Sequence, residues 1–423
     1  MQRRGLREAI KRRVVRCTPL VPHVDASTWD PDQEVDPAEV GLSAAAVKSV
    51  WQEVEALYSS GVHPAIQLCV RRNGRIVLNR AIGHASGNGP EDGPDVPKVL
   101  VTPETPFCVF SASKAVTLMF AHLLVERGQL DYDMPVAHYL PEFGRHDKGW
   151  ITTRDLLKHR AGVPFMGAGL TPESLLDWDG LLEYIYDLRP VAPQDRRLAY
   201  HAATSGYLLA QLVQVVDGRD VRTFMREEVT EPLGLTCFDY GIEESRRHEV
   251  VKNYFTGLHF GPAMDWAFRR ALGTTLIEGC PLSNGPEWLG CCMPSGNIVT
   301  TAEQIGRFFE LLLREGELDG VRIFAPESVR MAARRTTGRE VDLTIGLPIR
   351  YGHGMMLGSR WISPFGPRAE QAFGHLGLSN VHVWADPQRD LSAALLTSGK
   401  PVFAHHLPAL WGILRGISDF PDA

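Results

Sequence analysis

The chain has 423 residues, a formal net charge of −6, 44% hydrophobic and 22% charged residues. The composition is that of a globular protein, and the negative balance gives no general attraction to nucleic acid, so a small neutral molecule is the default partner. No apolar run is long enough to span a bilayer, and the length predicts two domains or one with a large insertion.

The one basic stretch is the beginning, MQRRGLREAIKRRVVRC, with Arg3, Arg4, Arg7, Lys11, Arg12, Arg13 and Arg16 against Glu8. It lacks the apolar segment of a secretory signal. Leu6, Ile10 and Val14 recur every four residues, which suits either a solvated arm or a short amphipathic helix for peripheral contact with a membrane surface or partner. With the Pro- and Asp-rich VPHVDASTWDPDQEVDP that follows, residues 1–37 read as an extension. The seven cysteines are scattered without paired spacing, so a metal site is not expected and a reducing cytoplasm is the simplest compartment.

Beyond Gly41, LSAAAVKSVWQEVEALYSSG reads as a helix with Ser43 as N-cap and Gly61 as stop. AIQLCVRRNGRIVLNRAIG then reads as two strands around the turn Asn73-Gly74. After a Gly/Pro-rich loop comes FCVFSASKAVTLMFAHLL, whose pattern is helical from Ser113 to about Arg127, with Gly128 as the stop. The middle of the chain is mostly helical and includes YLLAQLVQVVDG, ending at Gly218. Another helix follows PSGNIVTT, capped by Thr300 or Thr301.

The last hundred residues return to strand character. FGHLGLSNVHVWADPQRDLSAALLTSG reads as two apolar stretches joined at Asp386-Pro387, and HHLPALWGILRGI as a closing helix. The order predicts an α/β protein of α+β type, one antiparallel sheet built from both chain ends with a mostly helical domain inserted. The expected boundaries are 38–126 and 290–423 for the sheet-containing domain and 127–289 for the helical one.

Ser111 and Lys114 stand at positions i and i+3 at the head of the buried-looking helix, which places an amine one turn from a hydroxyl. A serine hydroxyl is a weak nucleophile until a base takes its proton. Bringing a lysine from ~10.4 to ~7 needs roughly 4–5 kcal/mol of differential interaction, which burial and a nearby cation can supply. Taken alone, the pair also reads as a serine cap followed by an exposed lysine. Tyr200, at a loop-to-helix junction in LAYHAATSGY, offers a phenol for a second proton transfer. In FGHLGL, His375 opens a strand-like run, Gly377 allows close approach to the backbone, and the next amide, of Leu378, can face an oxyanion.

Together these pieces, with LLKHRAGVP and PSGNIVTTAEQIGRFF, resemble the penicillin-recognising serine hydrolases: class C β-lactamases, DD-peptidases and family VIII carboxylesterases. The likeness runs from about Gly41 to the C-terminus. It implies Ser111 as nucleophile, Lys114 as base, Tyr200 as partner in proton transfer, and an oxyanion hole from the Ser111 and Leu378 amides. His375 and Gly377 fall on the family's Lys-Thr-Gly strand motif as substrate-binding positions, and no cofactor is implied.

Two departures bear on substrate. Ala202 replaces the asparagine that follows the tyrosine, and His375-Leu376 replaces the Lys-Thr pair that favours a substrate carboxylate. Both point to an uncharged ester, hence a serine carboxylesterase for short- to medium-chain acyl esters, with acyl transfer open to it. The alternatives are a β-lactamase or D-amino-acid peptidase of the same fold, and a non-catalytic binding descendant. His201 and Ser113 read as structural, Trp361 and Trp384 as core more readily than acyl pocket. His353 and the pair His405-His406 carry no assigned role.

Overall fold

A computed structural model describes residues 15–167, 170–259, 261–338 and 340–423. The basic arm up to residue 14, with both readings of it, lies outside them. In chain order the first elements are β1 (Ser27–Trp29), α1 (Ala44–Ser59), β2 (Ala65–Arg72) and β3 (Arg75–Ser86). The middle contributes α2 (Ser113–Glu126), α3 (Thr204–Asp217), α4 (Pro262–Leu272) and α5 (Ala302–Leu313). The closing part holds β4 (Arg350–Tyr351), β5 (Met356–Leu357), β6 (Phe373–Gly377), β7 (Val381–Asp386), β8 (Leu391–Thr397) and α6 (Leu407–Ser418).

The strands form one antiparallel sheet in the order β4-β5-β6-β7-β8-β2-β3-β1, with Val99–Leu100 added on β3. β8 pairs with β2, Ala394 opposite Cys69, and this joint sews the end of the chain to its beginning. The β2–β3 hairpin turns on Asn73 (φ 50°) and Gly74 (φ 79°), both left-handed as a two-residue hairpin loop of this type requires. Ser43 caps α1 by accepting from the Ala46 amide, and Thr301 caps α5 by accepting from that of Gln304.

The late strand run differs from expectation. It holds three strands and two hairpins, because Ser379 (φ 50°) and Asn380 (φ 68°) turn the chain between β6 and β7 ahead of the turn at Asp386-Pro387. Asn and Ser tolerate the left-handed region, but flanked by apolar residues they gave no break in the pattern. Residues 15–37, read from sequence as part of an extension, also belong to the fold. β1 supplies the edge strand, Arg80 of β3 forks onto Glu34, and its guanidinium lies 5.5 and 5.6 Å from the rings of Trp29 and Trp51.

Period-two alternation sends Ile66, Leu68 and Val70 of β2 to the face covered by α1 and α6, where they meet Trp51, Leu57 and Ile413. Cys69 and Ala394 point the other way, into a core shared with α2, α3 and α5. Both faces are covered, which is why these strands read as nearly continuous apolar runs. A small three-stranded sheet, with Ile298–Thr300 between Phe107–Cys108 and Phe238–Tyr240, leads the chain into α2. Among the described residues no helix is long and apolar enough to cross a membrane.

Two contacts tie the sheet to what lies over it. Arg71 Nε donates to Glu310 Oε2 at 2.5 Å, and the Glu310 side chain is only 2% exposed. Replacing Arg71 by Met strands that carboxylate, so urea denaturation should show a loss of about 3–5 kcal/mol; a loss below about 1 kcal/mol would show the pair to be solvated. At Gly377 an added Cβ would stand 2.2 Å from Val109 O and 2.8 Å from Val381 Cβ. Gly377→Ala should therefore lower the denaturation free energy by about 1–3 kcal/mol, whereas unchanged stability would place the strand farther from the turn.

Candidate active site

α2 is apolar on every side and is buried on every side down to Leu124. Ser111 lies just ahead of it, in the 3-10 turn Phe110–Ala112. Phe110 adopts φ 47°, a left-handed conformation that costs a non-glycine residue about 1–3 kcal/mol. Ser113 fastens the turn, its Oγ donating to Phe110 O at 2.6 Å and accepting from the Ile298 amide at 3.0 Å. The structural reading of Ser113 acquires a specific task here.

Lys114 is 3% exposed, and its Nζ lies 2.9 Å from Ser111 Oγ and 2.7 Å from Ser295 O. Burial holds the amine well below the ordinary lysine range. Of the two causes weighed from sequence, burial alone acts, and no nearby cation contributes. The Ser295 segment is itself anchored, since Ser295 Oγ donates to Ala203 O and Thr117 Oγ1 donates to Pro294 O at 2.8 Å.

The Tyr200 ring centroid lies 5.2 Å from Lys114 Nζ. Burial raises the phenol's pKa, partly offset by the Ser111 hydroxyl, yet the phenol oxygen has no partner of full hydrogen-bond geometry among the described residues. Asp342, fully buried, fixes this loop. Its Oδ1 accepts from the amides of Tyr200, Thr344 and Ile345 at 3.1, 2.8 and 2.9 Å, and its Oδ2 from the Tyr351 hydroxyl at 3.1 Å. The His159 ring stands edge-on to Tyr200 at 4.9 Å. Asp342, His159 and Ser295 were not singled out from sequence. Asp342 sits in an aperiodic loop 142 residues from its partner amide, so no local pattern marks it.

β6 places its residues differently from one another. His375 is completely buried behind Tyr200, ring to ring 5.9 Å, with Nδ1 against Leu376 O at 2.6 Å. Burial first, then the Lys114 charge, pushes its pKa down to about 3. His375 shares a small cavity with Lys114 and His159 and is absent from the lining of the cleft that Ser111 opens into. Gly377 faces Val109. Only Leu378 reaches the cleft that Ser111 lines.

That cleft has a cavity volume of about 70 Å³ and no charged side chain in its lining. Phe110, Ala202, Tyr207 and Trp288 form its walls, with Leu272 and Leu276 from α4 and the segment after it. Trp384 lies in the sheet core and Trp361 is 74% exposed, so neither serves the cleft. His201 is structural, its Nδ1 meeting Ala199 O at 2.7 Å and its Nε2 accepting from the Val163 amide at 3.3 Å. His353 packs against Met331 O and Arg154, His405 against Ser60 O, and His406 accepts from the Asn380 amide.

Comparison with known proteins places this geometry. The Beta-lactamase family model matches residues 48–413. The esterase/beta-lactamase LipL of Mycobacterium tuberculosis is 30% identical over 308 residues, 68% of this chain and 68% of that protein. A penicillin-binding protein homologue from Caulobacter crescentus superposes with a TM-score of 0.74 at 27% identity, over 89% of this chain and 98% of that one. A family VIII carboxylesterase superposes with a TM-score of 0.74 at 22% identity, over 88% and 98%. The chain belongs to the beta-lactamase family and is a serine hydrolase of the esterase/beta-lactamase type.

Proposed function

We propose that the protein is a serine carboxylesterase that cleaves uncharged esters with short- to medium-chain acyl groups through an acyl-Ser111 intermediate. The observation that carries this reading is a buried amine 2.9 Å from a hydroxyl that opens into a cleft without charge. Neutral Lys114 takes the Ser111 proton as Oγ attacks the ester carbonyl, with Tyr200 sharing the transfer. The developing oxyanion is met by the Ser111 and Leu378 amides. The proton then passes to the leaving alkoxide, and a water deprotonated by the same groups releases the acid. An alcohol in place of that water gives acyl transfer.

The nature of the cleft supports an ester over a β-lactam or peptide. Ala202 has no amide to hold a substrate side chain, His375 is neutral and buried, and no cation lines the cleft to meet a carboxylate. LipL, an esterase/beta-lactamase by name, keeps β-lactam hydrolysis as the second reading. The buried thiols of Cys69, Cys108 and Cys280 are free, which suits a reducing cytoplasm.

Side-by-side turnover of a p-nitrophenyl butyrate and nitrocefin should favour the ester by at least ~10²-fold in kcat/KM; equal turnover would move the assignment to the second reading. Intact-mass analysis after a fluorophosphonate should show one adduct that vanishes in Ser111→Ala. Because Lys114 works as the free amine and its pKa is lowered, the acid-side fall of kcat/KM should come where pH drops through that lowered value, well below the range of an ordinary lysine. Lys114→Arg, charged throughout, should lose about 10²–10⁴-fold. A rate that instead rises toward pH ~10, the range of an ordinary lysine, would refute the neutral base.

A further inference from the structure

A second buried amine touches the nucleophile turn from the sheet. Lys400, just beyond β8, is completely buried, and its Nζ donates to Thr397 O at 2.6 Å and stands 4.7 Å from the centroid of the Phe110 ring. Among the described residues no carboxylate pairs with it. An ammonium with one carbonyl and one aromatic face is a costly thing to bury, and what it touches is informative. Phe110 is the left-handed residue that precedes Ser111. Thr397, which accepts from Nζ, donates its own Oγ1 to Ser379 O and Asn380 O at 3.3 and 3.2 Å, the turn that follows Leu378. One ammonium thus touches the side chain that precedes Ser111 and, through Thr397, is linked to the turn that follows Leu378.

We infer that Lys400 is a positioning residue for ester cleavage: its ammonium clamps Phe110 against the Leu378–Asn380 turn, so that the Ser111 and Leu378 amides converge on the oxyanion. The inference rests on Ser111 being the nucleophile. It gives the clamp a dependence on charge, because a cation–π contact disappears with the proton.

The groups facing Lys400 leave it isolated as a titrating site. Burial brings its amine down to about 8, the thiols of Cys280 and Cys108 acting against that. Burial pushes Cys280 up to about 12 and raises Cys108, and His63 is held well below its ordinary range. Lys148 is also brought down to about 8, but its Nζ is bonded to Tyr186 O and Leu188 O and does not face this site. The charged form of Lys400 therefore predominates below about pH 8 and is lost as pH rises through that value.

The test is the rate of Ser111 phosphonylation from about pH 6.5 to about pH 10, in wild type, Lys400→Arg and Lys400→Met. In wild type the rate should fall about tenfold above pH 8. Lys400→Arg should stay flat across the range. Lys400→Met should be about tenfold slower at neutral pH and also flat, with KM for the p-nitrophenyl ester within about threefold of wild type. A wild-type rate that does not fall, a fall that persists in Lys400→Arg, or a Lys400→Met protein reacting as fast as wild type would each overturn the clamp. Should Lys400→Met fail to fold, the wild-type profile decides alone. An adduct that survives in Ser111→Ala would refute the nucleophile itself, a separate failure.

Discussion

The site depends on keeping one amine out of water. Lys114 sits in a helix buried on every side, one turn from Ser111, and burial lowers its affinity for a proton. On the proposed mechanism, the apolar packing of α2 is part of the chemistry. Thr117, Ser113 and the Ser295 segment supply the hydrogen bonds that the surrounding hydrophobic side chains cannot, so the helix can be buried without leaving its first turn unsatisfied.

The replacement of a strand lysine by His375 acquires its meaning from position. In the family pattern a cation stands beside the base and phenol. Here a buried imidazole, brought down to about 3, occupies the place and carries no charge at neutral pH. The cleft that Ser111 lines has no cation among its described lining residues to attract an acid. Lys400 instead lies against the Phe110 ring, 4.7 Å from its centroid.

Rigidity reaches the site through backbone contacts made by distant residues. Asp342 holds the Tyr200 loop by four donors from three stretches of chain. Gly377 lets β6 run close enough to Val109 for its following residue to face the cleft. The turn itself is strained at Phe110 and is held by Ser113 and Ile298. Small displacements here would separate groups that act only at hydrogen-bond distance.

Much of this was legible in the residues. Hairpin chemistry at Asn73-Gly74, caps at Ser43 and Thr301 and stops at Gly61 and Gly218 are local signals, and the spacing of Ser111 and Lys114 fixes their proximity because a single helical turn does. The β6–β7 hairpin was hidden because Ser379 and Asn380 interrupt no hydrophobic alternation. The burial of His375 and Lys400, the hydrogen bonds of Asp342, and the approach of Leu272 to the cleft were not legible at all. Each depends on contacts between residues far apart in the chain, set by strand register and by which face of the sheet a side chain takes. The sequence by itself determined most of the elements, their order and the local serine–lysine turn; only the tertiary structure decided the late hairpin, the edge strand and which groups lie dry, charged or within reach, because register, burial and electrostatic neighbourhood are properties of the packed whole.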